Sequence, residues 1–211
     1  MFFGIDEPWI AKLARTYVKQ NDIIYDIGAH IGYTTVLFAH YLSNSGQIHA
    51  FEILRSTTDL LKETVQANPF RNVIIHTIGL GAHEQTLELP IGNTRMTSVH
   101  SRTGNGGTTE TCRITPLDKY VWEKDLPMPS LMKIDVEGAE VDCLKGALSL
   151  IKRSLPLLIV EFHSRELLGE GYSLLHPLGY KLVARSQVTL NEHELSTLRK
   201  FHQNVLCLPS K

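Results

Sequence analysis

Four short stretches of this chain carry residues able to do chemistry. "YDIGAHIGYTT" (25–35) sets Asp26 two positions before Gly28, with Gly32 four further on. "HAFEI" carries Glu52 at the end of an apolar run, 24 positions after Gly28. "LMKIDVEGAEV" (131–141) places Lys133, Asp135 and Glu137 at alternate positions, and "IVEFHS" adds Glu161 and His163. Each is an apolar run with titratable groups at its carboxyl end, where an open parallel sheet presents its ligands.

The glycine turn is informative about the ligand. Gly28 permits a sharp bend and close backbone approach, and Gly32 allows the following helix to pack tightly. The spacing is G-A-H-I-G, through Ala29 and His30, and not the G-x-G-x-x-G of dinucleotide sites. No G-x-x-x-x-G-K-[ST] loop occurs. A nicotinamide-dependent oxidoreductase would need the missing pattern. A carboxylate before the turn repels a pyrophosphate and attracts a cation, so D-x-G-x-x-x-G fits a ligand such as S-adenosylmethionine, with its ammonium and sulfonium. Asp26 as a simple cap of the turn is the other reading. Glu52 has the position of the acid that accepts ribose hydroxyls in nucleoside-binding sheets, or of a solvated strand-end glutamate.

Three charges at the end of a buried strand need an explanation, because such strands are normally apolar throughout. Either Lys133 and Asp135 pair while Glu137 sits in solvent at a helix start, or Asp135 points into the crevice. Asp135 leads the candidates for a base, followed by His163, a common proton acceptor near neutral pH, and Glu137. Asp135 could equally hold an ammonium. No metal is expected, since a hard cation wants several convergent oxygens and His163 faces this strand end in place of another acid.

Elements able to position these residues alternate along the chain. Helical spacing runs over 7–20, 33–42, 56–68 (with a Ser/Thr cap), 139–152 and about 164–176. Strand-like runs cover 23–28, 47–53, 72–78, 130–136, 156–162, the 180s and 204–209. Strands linked by helix-length crossovers predict a mostly parallel α/β sheet of seven strands with helices on both faces. The last two runs are close enough in sequence to pair antiparallel. Residues 92–114, rich in Gly, Thr, Ser and Asn, break the rhythm and predict a β-hairpin excursion or a mobile acceptor-side loop.

With 211 residues, 43% of them hydrophobic, the chain reads as one domain over 1–211 with a continuous core. A net charge of −1 gives no general basic field, which disfavours nucleic acid as a partner. Cys112, Cys143 and Cys207 are odd in number and without C-x-x-C spacing, which points to a reducing, cytoplasmic setting. The start of the chain lacks signal-peptide character, and "LPLLIV" is too short for a membrane span. Oligomeric state has no sequence signal.

Together "YDIGAHIGYTT", "AFEI", "NPFRNVIIHTIGLG", "TPLDKY", "MKIDVEGAEVDCLKGA" and "LPLLIVEFH" resemble the FkbM family of S-adenosylmethionine-dependent methyltransferases, from about residue 20 to 165. The resemblance implies a class I methyltransferase (Rossmann-like) fold with the last strand antiparallel. It also implies O-methylation of a hydroxyl on a small molecule, sugar, glycan or natural product. A cofactor-binding homologue without turnover is the alternative. The implied cofactor contacts are Asp26, Gly28, Ala29, His30, Gly32, Glu52, Ile53, Gly79, Leu80 and Asp135. The family usually has Asn at His30 and Pro at Ile53. No acid follows the third strand closely, so backbone around Gly79–Gly81 is expected to meet the adenine.

Overall fold

The structure is a computed structural model that describes residues 7–42, 45–91, 108–197 and 203–210. The chain runs α1 (Glu7–Tyr17), β1 (Ile23–Ile27), α2 (Tyr33–Tyr41), β2 (Gln47–Glu52), α3 (Arg55–Gln66) and β3 (Val73–Thr77). Next come β4 (Gly79–Leu80), β5 (Gln85–Pro90), β6 (Thr109–Thr115), α4 (Leu117–Lys124) and β7 (Leu131–Ile134). It ends with α5 (Glu140–Lys145), α6 (Leu148–Ser154), β8 (Leu157–Phe162), α7 (Arg165–Leu175), β9 (Tyr180–Ala184), α8 (Glu192–Thr197) and β10 (Gln203–Pro209).

Seven strands form the main sheet in the order β3-β2-β1-β7-β8-β10-β9, and β10 runs antiparallel to both neighbours. This is the mostly parallel sheet expected from the sequence. Both faces are covered, which is why β1 and β7 are mostly apolar and β2 is buried at every position after Gln47. Ile24, Ile48, Leu131, Ile159 and Leu206 pack under Ile10 and Leu13 of α1 and Phe38 of α2. Their neighbours Tyr25, Met132, Leu158 and Val205 point the other way, into a core with Val141, Leu144 and Leu168. Strand order reverses at β1, between β2 and β7, and that switch point is where such sheets bind ligands.

Three elements depart from the sequence reading. The helix expected over 139–152 is two short helices. The backbone at Gly146 passes so close to Gly81 that a Cβ would lie 2.0 Å from its carbonyl oxygen. Asp118 then starts α6 afresh, accepting from the backbone N–H of Ser149 (2.9 Å) and Leu150 (2.8 Å). α3 has no Ser/Thr cap. Glu110 of β6 accepts from Arg55 N (2.6 Å) and Ser56 N (3.4 Å), so the helix start is satisfied from 55 residues away. The hairpin begins earlier than expected: β5 and β6 pair from Gln85↔Ile114 to Pro90↔Thr109, and with β4 they form a second sheet. Residues 109–114 of the expected excursion are therefore strand, and 92–107 lie outside the described residues.

Gly28 is held by the switch point itself. It has φ +75°, and a Cβ there would sit 1.7 Å from the Asp135 carbonyl oxygen. The close approach is to the neighbouring strand end. Gly28→Ala should cost about 3 kcal/mol or more in urea unfolding, from positive φ plus backbone collision.

Beneath α4 lies a polar chain in which His49 Nδ1 meets His76 Nε2 at 3.0 Å and His76 Nδ1 meets the Tyr120 hydroxyl at 3.2 Å. Burial pushes both imidazoles down from 6.5 to about 4. In the unfolded chain they take protons near 6.5. Between those values the unfolded state binds more protons, so their contribution is intact above pH 6.5 and is lost as pH falls through 4. We expect unfolding free energy to drop by roughly 2–5 kcal/mol over that window, and less in His49→Leu. A flat profile in both proteins would contradict this.

Candidate active site

At the carboxyl ends of β1, β2 and β7 opens a cleft of about 360 Å³, within the range of small-molecule sites. Its walls include Gly28, His30, Glu52, Ile53, Leu54, Gly79, Leu80, Asp135 and Glu137. Two non-glycine residues in the cleft have left-handed backbone, His30 (φ 50°) and Glu137 (φ 50°). Such conformations gather at ligand sites because they re-aim the chain at a strand end. Glu52 closes β2, and its position is fixed from both sides. Oε2 accepts from His30 N and Oε1 from Leu54 N, each at 3.0 Å. Burial raises its carboxyl above the usual range, and these two N–H groups partly offset the rise. Each oxygen retains a lone pair for a further donor.

Asp26 is not at the mouth of the cleft. It is wholly buried, and Oδ2 accepts from the hydroxyls of Thr34 (2.8 Å) and Thr35 (2.6 Å) at the start of α2. Its cation is internal, with Lys133 Nζ lying 3.7 Å from Oδ1. The sequence reading set a cationic ligand beside Asp26; in the structure an ammonium of the same protein lies against it, and the carboxylate anchors the turn. Ala29 and Gly32 are likewise outside the cleft walls. Ala29 is buried with its N–H on Phe51 O, and Gly32 (φ 94°) lets α2 approach Leu61 and Thr64 of α3.

Lys133 also bridges to Asp135, 3.1 Å from Oδ2, and donates to Gly28 O at 3.3 Å. Burial alone would lower its ammonium, but Asp135 and Asp26 carry it above its ordinary value. Lys133 and Asp135 pair while Asp135 lines the cleft, and Glu137, read as solvated in the first alternative, lines it as well. Beside it, His163 Nε2 lies 3.3 Å from Glu137 Oε2 and 3.9 Å from Asp135 Oδ1. His163 Nδ1 meets Glu140 Oε1 at 2.7 Å, and Gly138 N donates to that same oxygen at 2.7 Å.

The same arrangement sets the charge of His163. Burial works against its charge, but Glu140, then Glu137 and Asp135, push the imidazole up to about 9. At neutral pH it is an imidazolium and has no lone pair with which to take a proton. An NMR titration of its ring should give a midpoint near 9, and a midpoint near 6.5 would contradict the geometry. Because the folded value lies above the unfolded 6.5, its contribution to stability is full below 6.5 and disappears as pH rises through 9.

The methyltransferase FkbM domain model matches residues 26–182, most of the chain. The chain belongs to the FkbM methyltransferase family. The hexuronic acid methyltransferase AglP of Haloferax volcanii is 27% identical over 158 residues, covering 75% of this chain and 63% of that protein. The chain therefore spans less than two thirds of this relative's length. Among solved structures, an FkbM methyltransferase from Methylobacillus flagellatus superposes with a TM-score of 0.61 at 18% identity, over 89% of this chain and 44% of that one. An S-adenosylmethionine-dependent O-methyltransferase from Thermotoga maritima gives 0.58 at 12% identity, over all of this chain and 67% of that one. These likenesses show the class I methyltransferase fold.

The family is S-adenosylmethionine-dependent, and the FkbM-type cleft fits that cofactor. Glu52 offers fixed acceptors for a diol, and Ile53, Leu54, Ile78 and Leu80 give apolar walls for a flat base. Three polar wall residues escaped the sequence reading: Thr57, Gln85 and Asp142. Asp142 belongs to α5, where its position in an ordinary amphipathic run carries no signal. Among the described residues no helix is long and apolar enough to cross a membrane. All three cysteines are buried, and burial raises each thiol, to about 11 for Cys112 and about 12 for Cys143, so they act as packing groups.

Proposed function

We propose that this FkbM-family chain transfers a methyl group to a hydroxyl of a sugar or glycan, with a uronic acid as the first acceptor class to try. The observation that carries the reading is Glu52, whose two oxygens are presented to the cleft by His30 N and Leu54 N in the same cavity as Asp135 and Glu137. When bound, S-adenosylmethionine supplies an electrophilic methyl on a sulfonium. Glu52 holds the ribose, and the apolar walls hold the adenine and exclude water.

Asp135 and Glu137 follow β7, which flanks β1 on the side away from β2 and the Ile53 and Leu54 that follow it, and they receive the acceptor hydroxyl. Asp135 Oδ1 takes the hydroxyl proton as the oxygen becomes a nucleophile, while Lys133 holds Oδ2 and keeps the carboxylate oriented. His163, a cation at neutral pH, faces both carboxylates and fixes their spacing. The acceptor class rests on the hexuronic acid named for the Haloferax relative and on the polar character of this side of the cleft.

The test is a mass-spectrometric screen with labelled S-adenosylmethionine over uronic acids, neutral sugars and aglycone alcohols. Label on an oxygen of a sugar supports the reading. Cofactor binding without transfer to any acceptor favours the alternative of a non-catalytic homologue.

A further inference from the structure

We propose that Asp135, Glu137 and His163 form a binding site for a divalent transition-metal cation, with Mn2+ as its natural probe. The sequence predicts no metal here because it shows a single acidic strand end. Folding brings the end of β8 against it, and one ligand atom from each of the three residues lies within 4.8 Å of the others. Around a cation with bonds of ~2.0–2.2 Å, neighbouring ligand atoms sit about 3 Å apart. The Nε2–Glu137 separation of 3.3 Å and the Nε2–Asp135 separation of 3.9 Å need only slight tightening.

Two of the three ligands have their second atom occupied elsewhere. Lys133 takes Asp135 Oδ2, and Glu140 takes His163 Nδ1, which turns Asp135 Oδ1 and His163 Nε2 toward one point. A histidine whose far nitrogen is held by a carboxylate is how proteins commonly orient an imidazole toward a metal. Glu140 is wholly buried, and its Oε2 has no hydrogen-bond partner. Among the described residues, Asp26, Asp135, Glu137 and Glu140 pair with Lys133 and His163. The surplus of carboxyl groups, two of them fully buried, calls for added positive charge.

Two oxygens and one imidazole nitrogen suit Mn2+ or Zn2+ better than Mg2+. The cation displaces the proton on His163 Nε2, which leaves to solvent. Three protein ligands leave positions open, and Asp135 and Glu137 border the cleft. An acceptor hydroxyl bound there is polarised and its proton leaves to solvent, and with the cation in place Asp135 acts as its ligand and no longer as the proton acceptor. The cation site stands on the three side chains alone. Its role toward the hydroxyl rests on the methyltransferase reading, and the test separates the two.

The whole chain, stripped with EDTA and dialysed, is titrated with MnCl2 and followed by electron paramagnetic resonance. One Mn2+ per chain is expected. Binding should be lost in His163→Ala and Glu137→Gln, and weakened about 10–100-fold in the positioning variant Glu140→Gln. Circular dichroism of each variant checks folding, and Glu137→Gln, at a half-exposed side chain, keeps the test sound if His163→Ala unfolds. Absence of binding to wild type, or equal binding by all variants, overturns the proposal. Calorimetry with S-adenosylhomocysteine in EDTA reports on the cofactor reading by itself.

Discussion

Glu52→Ala should weaken S-adenosylhomocysteine binding about a hundredfold, as read by calorimetry. Two ribose hydroxyls donating to a charged acceptor are each worth ~1.5–3 kcal/mol, so even the lower sum reaches that factor. The site is already built to receive them, since His30 N and Leu54 N hold both oxygens in place before any ligand arrives. Removing the carboxylate also leaves those two N–H groups unsatisfied, so an unfolding curve belongs beside the titration. Glu52→Gln retains one acceptor oxygen and should fall between wild type and alanine. An affinity within threefold of wild type in the alanine variant would place the ribose elsewhere.

Asp135→Asn should reduce methyl transfer about 10²–10⁴-fold, the range for loss of a positioned proton acceptor. Asparagine keeps the shape and the hydrogen bonding but cannot accept the proton at neutral pH. Lys133 keeps Asp26 as a partner at 3.7 Å, so the fold should survive with a loss of about 1–3 kcal/mol. The reaction-side role assigned to Asp135 predicts that cofactor affinity changes little. A collapse of S-adenosylhomocysteine binding with transfer otherwise intact would instead make Asp135 a ligand of the cofactor's ammonium.

The fold was legible because its central strands are buried on both faces. Runs such as "IIYDI" and "LMKI" are apolar without alternation, and each is closed by a turn signal or a charge. Glu52 was legible for the same reason, since an acid ending such a run has to be explained. Asp26 was not, because its explanation is Lys133, a residue 107 positions away on a neighbouring strand. The charge state of His163 depends on Glu140, which in sequence looks like an ordinary glutamate in the first turn of a helix and in the structure is wholly buried. The break between α5 and α6 and the start of α3 were hidden similarly, being set by Asp118 and by Glu110 from other elements. Local pattern reported the period and the punctuation of the chain. Long-range pairing decided which titratable groups face the cleft and which are structural.

The central claim is that the cleft at the switch point is an S-adenosylmethionine site, and calorimetric titration of the wild-type chain with S-adenosylhomocysteine tests it most directly. The account predicts saturable binding of one ligand per chain, with NAD producing no heat beyond dilution. Tight binding of NAD with no response to S-adenosylhomocysteine would contradict it.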